Sequence, residues 1–118
     1  MTVKRLRNYK EIITLSHKVT VYVPSESGGQ PLSNRQEILD YTLAELARIC
    51  GGATSTEALG YWQSPTGRVV RERVTLVYAF CADLDGAIDD VVTLVESVKA
   101  ESRQESMAFE IDGELYLI

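Results

Sequence analysis

The chain has 118 residues, 45% of them hydrophobic and 25% charged, a balance that suits one packed core and argues against a disordered, collagen-like or membrane-embedded chain. Its formal net charge of −5 is unevenly spread: residues 1–18 carry five cations against Glu11, net +4, whereas residues 83–114 carry ten carboxylates against Lys99 and Arg103, net −8. The acidic second half disfavours nucleic-acid binding. No apolar stretch approaches the ~20 residues of a membrane span, so a cytoplasmic location is expected.

In chain order, the basic residues 1–16 read as an arm or an extra strand. The alternation VTVYV at Val19–Val23 predicts a strand, and Pro24 with SESGGQP ends it in a flexible loop. Ser33 and Gln36 have capping-box spacing, and Leu39, Leu43, Leu46 and Cys50 follow on one helical face, so a helix is predicted from Asn34 to Cys50, stopped by Gly51-Gly52. β-branched and aromatic residues from Thr54 to Gln63 and from Arg68 to Cys81, joined by SPTG, predict a long hairpin. Leu84, Ile88, Val91, Val95 and Val98 predict a second helix, with Asp83 and Asp85 favourably near its N-terminus and Gly86 weakening its first turn. Asp112-Gly113 predicts a closing two-residue turn between the strands Met107–Ile111 and Glu114–Ile118.

The order β, α, β, β, α, β, with its last strand doubled, predicts a single α+β domain over residues 1–118. The expected fold is a ferredoxin-like sandwich, an antiparallel sheet with two helices on one face and a C-terminal hairpin. The segments TGRVVRER (Thr66–Arg73) and QES (Gln104–Ser106) resemble a group of small uncharacterised bacterial ferredoxin-like proteins over the C-terminal half. That resemblance implies the fold and no activity.

Few residues carry obvious chemistry. Cys50 and Cys81 have no CxxC or histidine-rich company and read as small buried side chains, with a disulfide left open; with His17 as the one histidine, neither a metal nor a cofactor is expected. No GxSxG, P-loop or GxGxxG motif occurs. Alternation along the second hairpin strand splits Val70, Glu72, Val74, Leu76, Tyr78 and Phe80 from Arg71, Arg73, Thr75, Val77, Ala79 and Cys81. The first row is expected to face the helices, which leaves Glu72 as a carboxylate at the start of an apolar row, in need of a partner or a raised pKa. Pairing Gln63 with Arg68 would then place Trp62, Arg71 and Arg73 together on the open face.

Three readings follow. In the leading one the chain is a non-enzymatic binding or protein-interaction domain, homodimeric through an open face bearing Val77, Ala79 and Cys81. In the alternative, Trp62, Arg71, Glu72 and Arg73, with Tyr61, form the site of a small enzyme or of a protein sequestering a nucleotide-like anion. A third reading, an acidic accessory or inhibitor protein of a mobile element, would dock on a basic protein partner.

Overall fold

The alternation of β1 (His17–Pro24) is that of a strand with one buried face: Val19, Val21 and Val23 are almost wholly buried. A computed structural model describes residues 3–118 and places β1 at the centre of a five-stranded sheet of order β4-β5-β1-β6-β7, every neighbouring pair antiparallel. The other strands are β4 (Thr54–Gln63), β5 (Val69–Cys81), β6 (Ala108–Ile111) and β7 (Glu114–Leu117). Two helices, α1 (Arg35–Cys50) and α2 (Leu84–Glu101), pack on the valine face of β1. Residues 3–16 are exposed throughout; Lys4–Asn8 form one 3₁₀ turn, and no strand forms before β1 among the described residues.

Cross-strand register identifies the covered face. Val19 lies opposite Ala79 and Ile111, Val21 opposite Val77 and Phe109, and His17 opposite Cys81, so these side chains share one side of the sheet. Leu46 from α1 and Val91, Val95 and Val98 from α2 are completely buried against this layer. At about 1.5–3 kcal/mol for each fully buried aliphatic side chain, this layer supplies the main drive to fold. The expected facing of β5 is therefore reversed. Val77, Ala79 and Cys81 lie in the core at 0%, 3% and 2% exposure and form no open interface, whereas Glu72, Val74, Leu76, Tyr78 and Phe80 occupy the uncovered side.

Cys50 and Cys81 are joined as a disulfide, the alternative that the sequence left open, which ties the end of α1 to the end of β5. Gly51, with φ 101°, ends α1 where anticipated, but the Ser33–Gln36 capping box does not form. Asn34 is the N-cap residue and its side-chain amide donates instead to the Glu101 carbonyl of α2 at 3.2 Å, while Gln36 bonds Asp40 one turn on. At α2 the cap is Asp83, whose Oδ1 accepts from the Gly86 N–H at 3.1 Å. A Cβ on Gly86 would lie 2.5 Å from Asp83 Oδ2, so this glycine makes room for the cap. Gly86→Ala is accordingly expected to lower stability by about 0.5–2 kcal/mol in urea unfolding, against the gain that helix propensity alone would give.

The far edge of the sheet is latched by the β6–β7 turn. Asp112, at φ 53°, accepts from the Lys18 N–H at 2.8 Å, and its other oxygen lies 2.6 Å from His17 Nδ1. The hydrogen bond to His17, followed by that to Lys18, holds the Asp112 carboxyl below the usual carboxylate range.

Candidate functional site

Beyond the Pro24–Val74 pair β1 leaves the sheet, and β4 and β5 continue alone as a two-stranded ribbon. The ribbon turns through residues 64–68, where Ser64 N–H donates to Arg68 O and Gly67 N–H to Ser64 O. The loop is thus one residue longer than SPTG, and Gln63 pairs with Val69. A one-residue change in register moves every side chain of one strand to the other face relative to its partner. Tyr61 consequently lies opposite Arg71 and Leu59 opposite Arg73, extending the helix-covered face, while Trp62 lies opposite Val70 and Gly60 opposite Glu72, extending the open face. The expected surface of Trp62 with Arg71 and Arg73 is not formed within one chain: Trp62 joins Glu72 on one side, and Tyr61 joins the two arginines on the other.

At the base of the ribbon the segment after β1 folds into a small hairpin, β2 (Glu26–Ser27) with β3 (Gln30–Pro31). Gly28 and Gly29, at φ 58° and 79°, supply the two positive-φ positions of a tight turn. The segment read as a flexible loop is clamped on three sides. Ser25 Oγ donates to the Arg73 carbonyl and Ser27 Oγ to the Arg103 carbonyl, each at 2.8 Å, and Gln104 Nε2 donates to the Glu26 carbonyl, also at 2.8 Å.

These constraints create an open groove of about 720 Å³ lined by Ser25, Glu26, Arg35, Glu57, Leu59 and Arg73. That volume lies within the ~300–1,000 Å³ usual for a small-molecule site. On one wall Arg35 Nη2 donates to both Glu57 oxygens, at 3.1 and 3.0 Å, and to Thr75 Oγ1 at 2.9 Å. Thr75 Oγ1 in turn donates to Glu57 Oε1 at 2.9 Å, so this carboxylate and guanidinium are held in fixed relation. Arg73 and Glu26 face the same groove and neither forms an ion pair among the described residues.

Glu72 does not line this groove: it is half-buried on the opposite face of the ribbon from Arg73. Loss of hydration, and secondarily the negative charge of Glu26, push its carboxyl above the ordinary glutamate range. Two carboxylates that repel one another in a partly dehydrated place are complementary to a permanent cation. The sequence singled out Glu72 and Arg73, whereas Ser25, Glu26, Arg35 and Glu57 went unnoticed. Gly28-Gly29 was the available signal, since a two-residue glycine turn folds Glu26 back toward β5.

No family model matches the chain, and no curated protein matches it. Among solved structures the fold is similar to that of a phage SAM lyase in complex with S-methyl-5'-thioadenosine, with TM-score 0.72, 17% identity and coverage of 93% of this chain and 94% of the other. The apo state of a phage SAM lyase is similar with TM-score 0.69, 18% identity and coverage of 91% and 94%. CutA from Synechococcus elongatus is similar with TM-score 0.52, 9% identity and coverage of 88% and 81%. These likenesses run against the leading expectation of a non-enzymatic interaction domain: the solved structures that share this arrangement of elements over more than nine-tenths of the chain are those of a phage enzyme, and the face on which that expectation relied, Val77, Ala79 and Cys81, is buried in the core.

Proposed function

We propose that this chain is a small enzyme that cleaves S-adenosylmethionine without water, releasing S-methyl-5'-thioadenosine. The observation that carries this reading is the likeness, over 93% of the chain, to a SAM lyase holding that thioether. The sheet order, with β1 between β5 and β6 and with β4 and β7 at the edges, is read as a ferredoxin-like sandwich with one added edge strand. In the proposed reaction the bond between the sulfonium sulfur and the γ-carbon of the amino-acid portion breaks, and its electron pair goes to sulfur, which becomes a neutral thioether. The four-carbon remainder closes the balance either by losing a β-proton to a base or by attack of its own carboxylate on the γ-carbon.

Glu72 suits this chemistry in two ways. With Glu26 it presents negative charge to a sulfonium, and its raised pKa makes it a stronger base than an ordinary glutamate. Binding of the cation relieves the repulsion between the two carboxylates, so electrostatic energy stored in the free protein favours the complex. The test is to incubate the purified protein with S-adenosylmethionine and follow S-methyl-5'-thioadenosine by chromatography. Thioether should appear in step with loss of the sulfonium substrate. Intact substrate after prolonged incubation would overturn the proposal; binding without turnover would favour sequestration of the ligand instead.

A further inference from the structure

The groove at the base of the ribbon has two opposite charges that do not satisfy one another. Arg73 and Glu26 line the same space without an ion pair, while the neighbouring pair, Arg35 and Glu57, is closed and held by Thr75. An unpaired guanidinium and an unpaired carboxylate lining one groove match a ligand that is itself dipolar at one end. From this arrangement we infer that the groove seats an α-amino-acid head group, with Arg73 taking the carboxylate and Glu26 the ammonium. This rests on the proposed cleavage of S-adenosylmethionine and assigns the end of the substrate that S-methyl-5'-thioadenosine lacks. The guanidinium fork receives a carboxylate through two parallel N–H donors, a geometry that lysine does not reproduce. The closed Arg35–Glu57 pair makes a rigid wall and leaves the head group to the two free charges.

Calorimetric titration of the wild type, Arg73→Ala and Glu26→Gln with three ligands tests the assignment. S-adenosylhomocysteine carries the amino-acid end with a neutral sulfur, S-methyl-5'-thioadenosine carries the nucleoside end alone, and S-methyl-L-methionine carries the amino-acid end and a sulfonium without the nucleoside. Loss of a charged hydrogen-bond partner should weaken S-adenosylhomocysteine and S-methyl-L-methionine by about 10–100-fold in both variants, with S-methyl-5'-thioadenosine unchanged. Equal weakening of all three, or of none, overturns the inference, as does wild-type protein that binds both S-adenosylhomocysteine and the thioether and holds them equally tightly. Wild type that binds only S-methyl-L-methionine, and loses it in Arg73→Ala, would sink the proposed cleavage reaction and leave the head-group site standing.

Discussion

Glu72→Gln should abolish most of the thioether-forming activity, by about 10²–10⁴-fold in kcat, while the protein remains folded. The glutamine keeps the size and planarity of the side chain and removes both the negative charge and the basic oxygen. Stability should move the other way. A glutamate whose folded-state pKa is raised above its unfolded value destabilises the fold as pH rises through that interval, since the native state then holds more protons than the unfolded one. The variant should therefore melt at or above the wild-type temperature at neutral pH, and the two should converge below the unfolded pKa of about 4.3. Melting curves from pH 3 to 8 beside a chromatographic rate assay supply both readouts. A variant that loses stability at pH 7 and keeps its rate would make Glu72 a structural residue.

Removal of the cross-link should be the largest stability effect in the molecule. Cys50 and Cys81 are 31 positions apart, and closing a loop of that size reduces the entropy of the unfolded chain by about 3–4 kcal/mol at 25 °C. The double variant Cys50→Ala with Cys81→Ala should thus melt roughly 12–16 °C lower than the oxidised wild type. Reductant should lower the wild type by a similar amount and leave the double variant unmoved. An unchanged midpoint in both experiments would remove the disulfide from the account of stability. No helix among the described residues is long and apolar enough to cross a membrane.

The elements were legible in the sequence because their periodicities are strong. Leu39, Leu43 and Leu46 mark α1, Ile88, Val91 and Val95 mark α2, and the alternation of β1 leaves one reading. What misled was β5, both of whose rows carry apolar side chains. Leu76, Tyr78 and Phe80 are the larger set, yet the helices cover the smaller Val77, Ala79 and Cys81. The aromatic pair is accommodated on the open face, where the Lys18 ammonium lies 4.8 Å from the Tyr78 ring centre and 5.8 Å from that of Phe80. A cation over these rings favours their presence on a surface that hydrophobic size alone would hide. Pairing of Cys50 with Cys81 would have decided the facing, but disulfide geometry depends on distances that sequence does not contain. The site was half legible for the same reason: Glu72 and Arg73 stand out on their own strand, whereas Glu26 reaches the groove through the small glycine-turned hairpin and Arg35 from the first turn of α1.

The central position of β1 has a consequence for how the chain reaches its native state. Thr20 pairs with Tyr78 on one side and Glu110 on the other, so the earliest of the five sheet strands is flanked by strands that follow it by about 50 and 90 residues. Contacts of such separation make folding slow, because loop-closure entropy is lost before the contacts that offset it exist. At a ribosomal rate of about 5–20 residues per second, the nascent valine row of β1 waits several seconds for β5 and longer for β6. The chain should therefore refold with a marked dependence on protein concentration above the micromolar range, its yield limited by association of uncovered β1 edges, and should gain from a holding chaperone during synthesis.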